Sequence, residues 1–126
     1  MDITVKVIPN EQIKERAGFT GADWWYDEEG NLQIRIAQMS TREREMALAV
    51  HEIVECILCK FHGVKVEDVD KFDEVAEANG HNIDAGDLAG CPYGREHTAA
   101  TACERIVAME LNVGGWASYD RELGTL

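Results

Sequence analysis

Apolar and polar residues alternate along the first part of the chain and then give way to helical spacing. Positions 2–8 alternate with a period of two, and Pro9 ends the pattern. This alternation predicts a half-buried β-strand. Asn10 follows, and it can cap a short helix that ends near Gly18.

A second alternating stretch predicts a hairpin. Positions 24–26 and 32–37 carry the apolar and aromatic residues typical of strands, and Asp27–Asn31 between them has the composition of a turn. Together with the first strand, the hairpin predicts a small antiparallel or mixed sheet of about three strands.

From position 40 the apolar residues recur at helical spacing. Ser40 and Glu43 have the spacing of a capping box, and Gly63 ends the periodic stretch, so one long helix is predicted. His51 and Glu55 lie at the margin of its apolar side, where a cleft can reach them. The residues predicted to face the core are Ala47, Val50, Val54, Ile57, Leu58 and Phe61.

The remainder of the chain is predicted to be almost wholly helical. A second helix runs from about Glu67 to Asn79-Gly80, a glycine-rich loop covers 80–94, and a third helix spans about Arg95 to Asn112. Residues 116–123 add a short terminal helix. The packing positions predicted for the third helix are Ala99, Ala100, Ala102, Cys103, Ile106, Val107 and Leu111.

These patterns predict one α+β domain over residues 1–126. Its N-terminal part, 1–39, is mainly strands and hairpin, and its second part, 40–126, supplies three main helices that pack on the sheet.

The charge of the chain narrows the classes of partner. Asp and Glu number 24 against 12 Lys and Arg, and the net charge of −12 repels phosphate backbones and anionic membranes. Nucleic acid and membrane are therefore excluded as general partners. No run approaches the ~18 apolar residues of a membrane span, and the first residues lack a signal-peptide pattern. We expect a cytoplasmic protein with reduced cysteines.

Residues 51–55, His-Glu-Ile-Val-Glu, place three chemically active side chains on two turns of the first long helix. His51 and Glu55 are four residues apart, so their side chains lie one above the other and can bind the same ion. Glu52 projects to the side, where it can act as a general base on a metal-activated water.

This HExxE segment, preceded by a strand, resembles the HExxH active-site helix of zincin-type metallopeptidases. Together with Pro92-Tyr93-Gly94-Arg95-Glu96-His97, it also resembles small phage and prophage proteins in which an HExxE helix precedes a Pro-Tyr-x-x-Glu-His stretch. The zincin resemblance implies a zincin-like fold, with His51 as the first ligand, Glu55 in the place of the second histidine and Glu52 as the base.

The same resemblance implies a metal-dependent hydrolase that acts on a peptide bond or another amide in a small-molecule or peptide substrate. If the protein is phage-encoded, its location is the cytoplasm of the host. Zinc is the expected metal, and manganese or iron are alternatives because a carboxylate in place of an imidazole makes a harder ligand set.

A third ligand has to come from another segment. His97, at the start of the last long helix, is the prediction. Glu104, two turns further on, is a candidate ligand or a partner that orients His97. Glu96 and His81 are further candidates.

Each of these residues also has a structural explanation, such as an ion pair or a hydrogen bond at the margin of the core, and two other functions stay open. Glu52-x-x-Glu55 followed by Glu67-x-x-Asp70 or Glu74-x-x-Glu77 resembles the paired carboxylates with which helical nucleoside triphosphate pyrophosphohydrolases hold magnesium. A non-catalytic phage accessory protein would instead bind a host component through its acidic surface or through Trp24-Trp25-Tyr26, a cluster that can equally form hairpin core.

The Cys56-x-x-Cys59 pair lies inside a helical pattern without a glycine or proline knuckle, and Cys91 and Cys103 do not form a matching second pair. Buried thiols are therefore expected, with Cys91 exposed in the loop, rather than a four-cysteine zinc site.

Overall fold

A mixed sheet and a set of helices form the α+β fold that the sequence predicts. The computed structural model describes residues 1–17, 21–80 and 84–126. The elements are β1 (Ile3–Ile8), α1 (Asn10–Ala17), β2 (Ala22–Tyr26), β3 (Leu32–Ala37), α2 (Arg42–Phe61), α3 (Val66–Ala78), a 3-10 turn (Ala85–Asp87), α4 (Gly94–Glu110) and α5 (Trp116–Leu123).

In the described ranges the strands form one sheet in the order β1-β3-β2, with β1 parallel and β2 antiparallel to β3. The central strand β3 buries Leu32, Ile34 and Ile36 against the helices. At the hairpin turn, one oxygen of Asp27 accepts hydrogen bonds from the backbone N–H groups of residues 29 and 31 at 3.0 and 2.9 Å. The predicted hairpin and the mixed sheet are thereby confirmed.

Helices α2 and α4 are packed against each other and run in opposite directions. His51 of α2 lies level with Glu104 of α4, and Glu55, one turn later in α2, lies level with His97, which comes earlier in α4. The sheet covers α2 on another side, where Leu48 and Cys56 belong to the same core cluster as β3. The two predicted metal-binding segments are therefore neighbours in space.

The start of α2 differs by one residue from the prediction. Thr41, not Ser40, is the capping residue, because its hydroxyl accepts a hydrogen bond from the backbone N–H of Arg44 at 3.2 Å. Ser40 donates its hydroxyl to Glu122 of α5 at 2.6 Å instead. Adjacent Ser and Thr residues have the same capping chemistry, so sequence does not separate them.

The prediction of which side of α2 faces the core is wrong. Phe61 is 80% exposed, whereas His51 and Glu55, which were predicted to lie at the margin, are each only 6% exposed. The other members of the predicted set, apart from the buried Ala47, are half-buried. The side that carries the polar pair faces α4, and much of the apolar side faces solvent.

The same reversal occurs in α4. Ile106 and Leu111 are 60% and 39% exposed although both were predicted to pack, while the polar residues Glu96, His97 and Glu104 are buried. Ala100 is buried as predicted, but Ala99 and Ala102 are exposed. Hydrophobicity alone therefore predicts, for both helices, that the more solvent-exposed side faces the core.

None of the helices in the described ranges combines the length and the apolar character that spanning a membrane requires.

Candidate metal centre

His51, Glu55 and His97 converge at the packed surface between α2 and α4. One oxygen of Glu55, Oε2, lies 3.1 Å from His51 Nε2 and 2.9 Å from His97 Nδ1. The two imidazole rings are 4.7 Å apart between centroids, and their planes are inclined at 65° to each other. All three side chains are buried. These are the three residues predicted as ligands, and the antiparallel packing of the helices brings them together.

The geometry of this group fits a small divalent cation. One ligand atom from each of the three residues lies within 4.8 Å of the ligand atoms of the other two. Ligand atoms about 2.0–2.1 Å from a tetrahedral zinc ion are separated by roughly 3.3 Å. The spacings of 2.9 and 3.1 Å are close to this value. Three protein ligands leave the remaining coordination positions for water or substrate.

His51 is oriented by a second carboxylate. Its Nδ1–H donates to Glu104 Oε1 at 2.8 Å, and the Tyr119 hydroxyl donates to the other oxygen of Glu104. With Nδ1 protonated in this way, Nε2 is the nitrogen that can ligate a metal once its own proton, which is donated to Glu55 in the metal-free protein, is displaced. Glu104 was predicted to bind the metal or to orient His97. It contacts His51 instead, because it lies two turns after His97 on the antiparallel helix.

His97 has acidic groups on both sides of its ring. Its Nε2 lies 3.4 Å from Asp87 Oδ1 and 3.8 Å from Asp84 Oδ1, at the opposite edge from Glu55. The 3-10 turn that carries Asp87 packs directly on the imidazole. A Cβ atom added to Gly86 would lie 2.3 Å from Cγ of His97, so only glycine fits there.

The charges of the group depend on whether a metal is bound. Burial by itself lowers the pKa of His51, but the hydrogen bonds to Glu104 and Glu55 outweigh it and raise the pKa to about 11. Burial likewise opposes the charged form of Glu55, yet the bonds from both histidines lower the pKa of this carboxyl. In the metal-free protein His51 is therefore an imidazolium, and a metal that takes its Nε2 position has to displace that proton.

Glu52, the predicted base, lies beside this group and lines the same cavity. It is half-buried and makes no hydrogen bond within the part of the chain that the structure describes. Burial, followed by repulsion from Glu55, raises the pKa of Glu52 well above its ordinary value. A carboxylate in such a position takes up a proton readily, as a general base must.

A cavity of about 320 Å³ opens beside the group. Trp24, Leu48 and Tyr93 are among its uncharged lining residues. Within the described ranges no Lys or Arg lines the cavity, and the lining carboxylates are Asp23, Glu52, Glu55, Asp70, Asp73, Glu77, Asp84, Asp87, Glu104 and Asp120.

The other candidates lie elsewhere or are not described. Glu96 is buried, but it contacts His62 Nδ1 at 3.1 Å and does not belong to the group of His51, Glu55 and His97. His81 lies outside the described residues. Cys56 and Cys59 are buried thiols, as predicted, whereas Cys91 is half-buried rather than exposed. Burial raises the pKa of both Cys56 and Cys59, the latter to about 12, so neither is a ready thiolate.

Sequence reasoning missed the supporting residues of the site. Gly86 and Asp87 were part of an unassigned loop, and Tyr119 belonged to a short helix with no predicted role. The Gly-rich composition of 80–94 was a signal for a close backbone approach, but it did not show which side chain the backbone approaches.

Replacing Glu104 by Gln tests the orienting role of this carboxylate. The amide keeps the size of the side chain but removes the charge that holds the Nδ1 proton of His51. We expect zinc affinity to fall roughly 10- to 100-fold, measured by competition with a chromophoric chelator. Glu96→Gln is the matched control, because Glu96 is an equally buried acid of α4 that contacts only His62 among these histidines. Equal affinities in the two variants would contradict the assigned role.

Comparison with protein-family models, with curated proteins and with solved structures finds no match to this chain.

Proposed function

We propose that this protein binds one divalent transition metal through His51, Glu55 and His97. The observation that carries the proposal is the convergence of three buried ligand atoms on one point. The carboxylates on the outer nitrogens of both imidazoles support it, since such partners fix metal-binding histidines. Two imidazoles and one carboxylate suit zinc, and manganese or iron are the alternatives.

The chemistry proposed for this site is hydrolysis, with Glu52 as the general base. A divalent metal held here supplies a Lewis acid and lowers the pKa of water. Glu52 lines the same cavity, has no hydrogen-bond partner among the described residues and has a raised pKa, so it can receive the proton. An amide or peptide bond is the proposed target by analogy with the zincin-type helix. Cytoplasmic location and phage origin stay predictions from the sequence.

The acidic lining of the cavity limits the substrate class. A cavity lined by carboxylates repels phosphates and carboxylates and accepts neutral or cationic groups. This disfavours the pyrophosphohydrolase hypothesis, whose substrate carries several negative charges. Each second pair of that hypothesis is split, because Asp70 and Glu77 line the cavity whereas Glu67 and Glu74 do not. Glu55 of the first pair is already engaged by two histidines.

The Glu52→Gln substitution tests the catalytic part of the proposal. We expect hydrolysis to fall roughly 100-fold or more, since a positioned general base contributes 10²–10⁴-fold. The measurement uses a fluorescence-quenched library of short peptides and the zinc-loaded protein. Because Glu52 is not a proposed ligand, the metal content should equal that of the wild type.

The same assay has two contrary outcomes. Hydrolysis that survives Glu52→Gln unchanged excludes Glu52 as the base. Absence of hydrolysis in the zinc-loaded wild type, together with pyrophosphate release from nucleoside triphosphates and magnesium, would favour the pyrophosphohydrolase.

A further inference from the structure

The α2–α4 pair has an apolar surface on the side away from the metal centre. Phe61, Met109, Ile106 and Met46 are 80%, 71%, 60% and 43% exposed. They recur at helical spacing, opposite the buried sides of their helices, and half-buried apolar residues lie between them. We call this surface the outer face. It consists of Met46, Val50, Val54, Ile57 and Phe61 of α2 and of Ala99, Ala102, Cys103, Ile106 and Met109 of α4.

The outer face is unusual for a helix pair in contact with water. The opposite side of α2 packs on α4 and on the sheet, so α2 is apolar around most of its circumference, a pattern typical of helices buried on all sides. The face is about 25 Å long and about 20 Å wide, the dimensions of two adjacent helices. Apolar patches of this size on soluble proteins are commonly interaction sites.

The charges around the outer face are balanced. Arg42 and Glu43 lie at the start of α2, and Arg95 and Glu110 lie near the two ends of α4. None of these four side chains forms an ion pair within the described residues, and all four are exposed. The chain as a whole carries a net charge of −12. The outer face thus has no excess charge to select an acidic or a basic partner, but it has groups of both signs for a self-complementary contact.

We propose that a second copy of this chain covers the outer face, so that two α2–α4 pairs form a four-helix bundle with twofold symmetry. Symmetric pairing of identical patches is the commonest form of oligomer, and antiparallel helix pairs stack readily in this way. With the twofold axis parallel to the helices, each α2 lies antiparallel across α4 of the other copy.

The heights of the residues along the helix axes support this arrangement. Contacts between His62 and Glu96 and between His51 and Glu104 fix which residues of α2 and α4 stand at the same height. A twofold axis along the helices preserves those heights, so Phe61 of one copy faces Arg95 of the other, where the guanidinium can stack on the ring. At the opposite end Arg42 comes close to Glu110 of the second copy, a pairing of opposite charges.

Apolar side chains meet along the same contact. Ile57 of one copy lies level with the small Ala99 of the other, which leaves room for it, and Val50 lies level with the apolar Ile106. Two such faces bury roughly 1,000 Å² in total, close to the lower limit for a specific interface. We therefore expect a dimer that dissociates at micromolar concentrations and becomes tighter as added salt screens the like charges of the two acidic chains.

Light scattering coupled to size exclusion tests the proposal. At about 100 μM, a concentration suited to a small interface, we expect twice the single-chain mass of 14.1 kDa for the wild type. Ile106→Glu places a charge in the centre of the outer face, and Phe61→Glu places a charge at its end. We expect each to weaken dimerisation by roughly 30-fold or more. Val75→Glu is the matched control, because Val75 is an exposed apolar residue of α3 outside the face, and it should leave the dimer intact.

The variants should keep their circular dichroism and their zinc affinity, since the outer face lies away from the metal centre. A single-chain mass for the wild type at this concentration overturns the proposal. So does a dimer that persists in both Ile106→Glu and Phe61→Glu, because dimerisation would then use another surface. Zinc affinity is measured on the same samples, so failure of the dimer is distinguishable from failure of the metal centre.

Discussion

Replacing Glu55 by Gln is expected to lower zinc affinity by about 100-fold or more. Loss of a residue that only hydrogen-bonds to a metal ligand costs 10- to 100-fold in affinity, and loss of a ligand itself costs more. Glu55 Oε2 contacts both His51 Nε2 and His97 Nδ1, so it is the anion common to the whole group. The amide keeps the shape of the side chain but is a much weaker ligand for a dication. Competition with a chelator measures the change directly.

Thermal unfolding gives an independent measure of the same variant. At a zinc concentration about 100-fold above Kd, the folded wild type gains about 2.7 kcal/mol, which raises Tm by roughly 10 °C. At the same zinc concentration, a variant with 100-fold lower affinity gains only about 0.4 kcal/mol, so we expect a rise of roughly 1.5 °C or less in Glu55→Gln. Glu77→Gln is the control, since it removes the same charge from the cavity lining without touching the three ligands. A full zinc-dependent rise in Glu55→Gln would show that the metal binds elsewhere.

Replacing Gly86 by Ala is expected to disturb the site without removing any polar group. The added Cβ would lie 2.3–2.6 Å from three atoms of the His97 ring, and this ring is buried against Glu55 and α2. Either the 3-10 turn or the imidazole has to move. Overpacking of this kind costs about 1–3 kcal/mol of unfolding free energy. Displacement of His97 from Glu55 also lowers zinc affinity, which we expect to fall roughly 10-fold or more.

Gly94→Ala is the matched control for that substitution. A Cβ at Gly94 would meet its nearest neighbours at 3.6 and 3.7 Å, which is ordinary van der Waals contact. Urea unfolding and zinc affinity of this control should be close to those of the wild type. If Gly86→Ala behaves like Gly94→Ala in both measurements, the 3-10 turn does not support His97 as described.

The local parts of the fold and the site were predictable from sequence. Alternation of residues gave the strands of the hairpin, and the spacing of four residues gave the His51–Glu55 pair, because both depend only on nearby residues. His97 was predicted from its place at the start of the last long helix, after the glycine-rich loop, and not from any tertiary contact. Its convergence with His51 requires the antiparallel contact of α2 and α4, which no local pattern shows.

The orientation of the two helices was not predictable from hydrophobicity. The apolar spacing predicts that Phe61 faces the core and that Glu55 lies at its margin, yet Phe61 is exposed and Glu55 is buried. A polar group stays in such a position only when its partners come with it, and those partners, His97 and Glu104, lie on another helix. The roles of Gly86 and Tyr119 depend on the same tertiary contacts and were therefore missed.

Elemental analysis of metal in the tag-free protein tests the central claim most directly. After equilibration with zinc and removal of the excess, we expect about one zinc ion per chain, as for a single site with three protein ligands. His51→Ala and His97→Ala should each retain only a trace after the same treatment. A wild type that holds no metal, or an unchanged metal content in both variants, would contradict the account.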